Sequence, residues 1–145
     1  MIAAIALAAA GFSPPPVPSQ YVTDVAGALT PGAISEVTTR LQRYERATGH
    51  QIVVWIGRTT GDVPLETWTT QTADRWKIGR KGYDDGAVLF VFMQDHQARI
   101  EVGYGLESRL TDAASFRIIH DVLIPKMRAG DVDGAIEDTV AAMMA

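Results

Sequence analysis

The chain has 145 residues and a mass of 15.7 kDa, enough for one domain with a substantial core. It is 47% apolar and 21% charged, a folded composition that is neither disordered nor collagen-like. Seventeen acidic and 13 basic residues leave a net charge of -4, which argues against a nucleic-acid partner, and the absence of cysteine excludes disulfides, thiolate metal sites and cysteine nucleophiles.

Met1 to Ala10 is almost entirely small or apolar. A spanning helix needs about 20 apolar residues, and this run is about half that. It reads as the apolar core of a secretory signal, with Ala8-Ala9-Ala10 offering small residues for cleavage, although the basic leader is missing. Pro14 to Pro18 reads as an extended linker. Residues 1–19 are therefore set apart from a domain over 20–145. No apolar stretch of spanning length follows that domain, so no transmembrane anchor is expected in the C-terminal part.

Tyr21 to Asp24 reads as a short extended piece. Thr30-Pro31 starts a helix, with threonine as cap and proline at the first helical position. Ile34, Val37, Leu41 and Tyr44 give it one apolar face, and Gly49 stops it. Gln51 to Ile56 is a continuous β-branched run, hence a buried strand. A second helix is expected from Leu65 to Ile78, with Leu65, Trp68, Thr72 and Trp76 inward.

Gly79 to Gly86 is a loop. Ala87 to Met93 is a second buried strand, Gln94 to Gln97 a hairpin turn, and Ala98 to Tyr104 an alternating strand at or near a sheet edge. Thr111-Asp112 caps a third helix that Pro125 kinks or ends. Gly130-Asp131 opens a last helix with Ile136, Val140 and Met143 inward. The segment from Gln51 to Met93 has the length of a right-handed βαβ crossover, and an antiparallel hairpin follows it. The expected fold is α/β, a three-layer αβα sandwich around a small mixed sheet.

This topology makes a chemical prediction. Asp84 and Asp85 precede the second buried strand, and the strand after it runs back to end beside them. Glu107 and Asp112 follow that exit, so Asp84, Asp85, Glu107 and Asp112 are expected at one end of the sheet. Carboxylates gathered at one point repel unless a hard divalent cation neutralises them, and calcium tolerates an irregular loop-built shell better than magnesium does. Glycines 82, 86, 103 and 105 would let backbone carbonyls approach the ion. The bland alternatives are a helix cap for Asp112 and a turn for Asp84-Asp85-Gly86. His50, His96 and His120 lie far apart with no ligand spacing, and no phosphate loop, dinucleotide fingerprint or nucleophile elbow occurs. Lys77, Arg80 and Lys81 form a small basic cluster beside the acidic pair.

The motifs have a familiar order: Val22-Thr23-Asp24 with Ala26 to Thr30, Thr48-Gly49-His50-Gln51-Ile52-Val53, Trp76-Lys77-Ile78-Gly79, Asp85-Gly86-Ala87, Ile100 to Glu107, Leu110-Thr111-Asp112 and Ile124-Pro125. Over residues 20–144 the chain resembles the TPM domain family. The resemblance implies an αβα sandwich, and acid phosphatase activity or binding of calcium or another divalent cation in some relatives. It places the family's acidic positions on Asp24, Asp85 and Asp112, with Glu101 and Glu107 beside them. It also implies a secreted or periplasmic protein, associated with a membrane and serving a protein partner there. The expected function is a divalent-cation-binding accessory module. The alternative is a metal-assisted acid phosphatase acting on phosphomonoesters. In that reading Asp112 or Asp85 orients the attacking water, and Arg80, Lys81 or Arg109 binds phosphate.

Overall fold

The fold grows from two continuous apolar strands laid side by side. In the computed structural model, which describes residues 11–145, β2 (Gln51–Gly57) and β3 (Gly86–Phe92) run parallel and in register from Gln51 opposite Gly86 to Gly57 opposite Phe92. Every residue of β3 is buried, as a strand covered on both faces requires. The short strand β1 (Val22–Asp24) adds in parallel to β2, and β4 (Gln97–Val102) returns antiparallel to β3. The sheet order is β1-β2-β3-β4, a mixed sheet flanked by helices on both faces. The signal-like run Met1–Ala10 lies outside the described residues.

Alternation along the strands divides the core in two. Ile52, Val54 and Ile56 of β2, with Ala87, Leu89 and Val91 of β3, face one cluster. There they meet helix α1 (Pro31–Thr48) through Val37 and Leu41, and helix α5 (Val132–Met144) through Ile136 and Val140. Thr30 caps α1, its Oγ1 accepting from the Ala33 N–H at 3.2 Å, and Gly49 ends it at φ 82°. On the opposite face Val53, Val88, Phe90 and Phe92 meet Trp68 and Trp76 of helix α2 (Leu65–Trp76).

This division has a topological consequence. β1 to β2 and β2 to β3 step across the sheet in the same direction, yet α1 and α2 cover opposite faces. The two parallel crossovers therefore have opposite hands, so one of them breaks the usual right-handed rule. A chain length for the crossover does not encode which face its helix takes. The choice of face is made by the tryptophans of α2: Trp68 packs edge-on to Phe90 and Phe92, and Trp76 lies tilted on Phe90.

The face under α2 has a second cover. Phe12 packs on Trp68 at 5.6 Å between ring centroids, and the Trp76 indole N–H donates to the Pro15 carbonyl at 2.7 Å. The proline-rich segment that reads as a linker is thus a strap docked on the aromatic cluster. The strap adds Phe12 to the same cluster as Trp55 and Trp68, themselves 5.1 Å apart, and gives the buried indole N–H of Trp76 an acceptor.

After β4, a 3-10 turn (Tyr104–Leu106) replaces the last expected strand residues. Helix α3 (Asp112–Arg117) runs into a π-helical segment (Ile118–Leu123) and then α4 (Ile124–Arg128). The Ile124 N–H bonds to the Ile119 carbonyl, five residues back. That wider turn sits directly before Pro125, which has no N–H to donate and whose ring would crowd a regular helical turn. No helix among the described residues is long and apolar enough to cross a membrane.

Candidate functional site

The expected meeting of two loops at the start of β3 is observed. The Gly103 N–H donates to the Gly86 carbonyl at 2.8 Å, and the Gly105 N–H to the Asp84 carbonyl at 2.9 Å. Gly103 and Gly105 make this close approach possible. A Cβ on Gly103 would strike the Asp84 carbonyl, and one on Gly105 the Tyr83 carbonyl. Asp84 itself takes a left-handed conformation, φ 48°.

The carboxylates expected to converge have different neighbours. Asp85 is 3% exposed and committed to Arg80, which donates its backbone N–H to Oδ1 at 2.8 Å and Nε to Oδ2 at 2.7 Å. Burial pushes the Asp85 carboxyl up, but the hydrogen bonds and charge of Arg80 together outweigh it and hold the group below the ordinary carboxylate value. Arg80 also lies over the Tyr83 ring at 4.0 Å. Arg80, one of the three residues expected to bind phosphate beside Lys81 and Arg109, is therefore occupied by an internal partner.

Asp24 is at the other rim of the sheet. It pairs in register with Ile56, near the end of β2, whereas Asp85 precedes Gly86, which pairs with Gln51 at the start. Its two oxygens accept the N–H groups of Ala28 at 3.0 Å and Leu29 at 2.8 Å, fixing the turn into α1. Glu107 is exposed beyond the 3-10 turn. Asp112 begins α3 behind its cap Thr111, and lines a groove of about 430 Å³ with Ala98, Ile100, Phe116 and His120. The expected single shell of Asp24, Asp84, Asp85, Glu107 and Asp112 is not assembled. Among the described residues no group of three or more His, Asp or Glu stands close enough to hold a metal ion.

Asp84 alone of that set lines a different groove, of about 300 Å³, on the α2 side of β4. Asp74 and Lys77 reach it from the end of α2, Glu101 from β4 and Tyr104 from the following turn. Lys77 ends α2 in a left-handed conformation, φ 51°. The Glu101 Oε2 accepts from Thr69 at 2.8 Å, Thr70 at 3.3 Å and Arg99 Nε at 2.6 Å. One Glu101 oxygen is thus saturated, while Asp74, Asp84 and Lys77 line the same groove. Sequence reading missed Asp74 altogether. The available signal was its three-residue spacing from Lys77 on a helix that ends beside the acidic loop.

Residues 22–145 match the TPM domain (TPM phosphatase) family. The chain belongs to the TPM domain family. Among solved structures, it is similar to the N-terminal domain of a protein from P. gingivalis, at 32% identity and TM-score 0.80, covering 87% of this chain and 80% of that one. It shares its fold with the N-terminal domain of the cg2496 protein from Corynebacterium glutamicum, at 17% identity, TM-score 0.69, and coverage of 92% and 83%. The BA42 protein of the psychrophilic bacterium Bizionia argentinensis has the same fold at 13% identity, TM-score 0.70, and coverage of 83% and 82%. No curated protein matches the chain.

Proposed function

We propose that this TPM module binds a divalent cation at the Asp84 groove and serves as an accessory domain for a protein partner outside the cytoplasm, near a membrane. The observation that carries the reading is the placement of Asp84 and Asp74 on one open groove, with Glu101 beside them. Asp85 and Asp24 are engaged by internal donors and are not part of this proposal. A site of two carboxylates leaves much of the ion's shell to water and backbone oxygen. Calcium accepts such an irregular shell more readily than magnesium, and the affinity expected is that of weak extracellular calcium modules, about 10⁻⁴ to 10⁻³ M.

Calorimetric titration with calcium and with magnesium tests this. The proposal expects calcium to bind more tightly, Asp84→Asn to weaken binding at least about tenfold, and Asp112→Asn to leave it unchanged. Equal binding by wild type and Asp84→Asn refutes the site.

A metal-assisted phosphatase is the second reading, favoured by Lys77 on the same groove, where an ammonium can hold a phosphoryl oxygen. It expects hydrolysis of a phosphomonoester that Lys77→Gln and Asp84→Asn both reduce. Hydrolysis undiminished in both variants excludes this groove as the source.

A further inference from the structure

The strand β4 ends the sheet, and its outer edge carries a self-complementary pattern. The Gly103 N–H bonded to the Gly86 carbonyl fixes the phase of the β3–β4 ladder. By antiparallel alternation, Gln97, Arg99 and Glu101 also exchange their backbone bonds with β3. The N–H and C=O groups of Ala98, Ile100 and Val102 therefore aim at the open edge. The six residues of β4 contain no proline and no lysine, and the ladder to β3 has no bulge, so those common guards of an edge strand are missing.

The charges on this strand select what can pair with it. Arg99 and Glu101 share the α2 face, where Arg99 Nε lies 2.6 Å from Glu101 Oε2. An identical strand laid antiparallel about Ile100 puts Arg99 opposite Glu101 of the second copy, and Glu101 opposite Arg99 of the second copy. These fall at non-hydrogen-bonded positions, where facing side chains come closest. Ala98 then meets Val102 of the second copy, and Ile100 meets Ile100. The outward N–H and C=O groups of all three residues are satisfied in one ladder. Beside this edge, on the other face, Phe116 is 64% exposed and stacks on His120 at 4.0 Å, offering apolar surface along the same groove as Ala98 and Ile100.

From this register we infer that β4 pairs with β4 of a second copy of the chain, joining two sheets into one across a two-fold axis at Ile100. The strand contact is short, so the dimer is weak and forms on the order of 10⁻⁴ M. The inference stands independently of the cation reading.

Sedimentation velocity from about 10 μM to about 1 mM reads the association directly. Wild type is expected to pass from monomer to dimer across this range. Arg99→Glu and Glu101→Arg each place like charges opposite one another and are expected to remain monomeric. An equimolar mixture of the two is expected to dimerise again, because each variant then faces its opposite charge. Ala98→Pro serves where a charge variant fails to fold. It removes an N–H that the β3 ladder does not use, so a folded monomer is expected at every concentration. Amide exchange in the wild type gives a residue-level readout, with Ile100 and Val102 protected only at high concentration. A wild type that stays monomeric to about 1 mM, with concentration-independent exchange at Ile100 and Val102, overturns the inference and leaves the edge to an extended segment of another protein. Dimerisation that Ala98→Pro and both charge variants leave intact also overturns it.

Discussion

Arg80 grips Asp85 with three donors: its backbone N–H at 2.8 Å, Nε at 2.7 Å and Nη2 at 2.6 Å. This clasp ties the loop after α2 to the residue just before β3. Asp85 is buried while the Arg80 side chain is half exposed, so water can take over the guanidinium when the carboxylate is lost. Asp85→Ala is expected to destabilise the fold by about 1–3 kcal/mol. Asp85→Asn, which keeps an acceptor for the backbone N–H, is expected to cost less. The folded carboxyl lies below its ordinary value, so its contribution is complete above the unfolded value and is lost as pH falls through the folded one. Urea unfolding of wild type and Asp85→Asn should therefore differ most near neutrality and converge in acid. A stability difference that does not change with pH contradicts this assignment.

The strap over α2 contributes to the fold. Trp76→Phe removes the donor to the Pro15 carbonyl and is expected to cost about 1 kcal/mol. Phe12→Ala is expected to cost about 1–2 kcal/mol through lost contact with Trp68. Both should shift tryptophan emission to the red and speed proteolysis within residues 11–20. Unchanged emission in both variants would mean that the strap does not shield the rings.

Thr30 is shared by two helices. Its Oγ1 accepts from the Ala33 N–H at 3.2 Å to cap α1, and donates to Asp133 Oδ2 at 2.6 Å in the first turn of α5. The Thr30 N–H donates to Asp133 Oδ1 at 3.1 Å. These hydrogen bonds, the hydroxyl first, hold the Asp133 carboxyl below its ordinary value. Thr30→Ala is expected to cost about 1–2 kcal/mol, near the upper range for a cap because the link to α5 goes with it. Thr30→Ser should recover most of the loss. If serine does no better than alanine, the hydroxyl is not what joins the helices.

The elements were legible where periodicity and end signals agree. Thr30-Pro31 and Gly49 bracket α1, and the apolar run from Ala87 fixes β3 to within a residue at each end. The meeting of the 84–86 and 103–107 loops followed from one hairpin. What did not follow was the partner of each acid. Asp85 and Arg80 are five residues apart with three glycines, at 79, 82 and 86, in and beside the stretch, and only the folded loop turns them toward each other. The resemblance grouped Asp24 with the other acids, yet the parallel order of β1 and β2 sends it to the opposite rim. Asp112 shares a direction along the chain with Glu107 but faces the other side of β4 from Asp84. The strap was unreadable because proline runs suit both linkers and docked extended segments, and only a tryptophan donor distant in sequence distinguishes them.

Backbone amide spectra recorded during a calcium titration of the whole chain test the central claim most directly. The account predicts saturable shifts confined to Asp74, Lys77, Asp84 and Gly103 to Tyr104, with the Asp24 and Asp112 amides still, and their disappearance in Asp84→Asn. Shifts centred on Asp24 or Asp112, or none at calcium concentrations well above about 10⁻³ M, would contradict it.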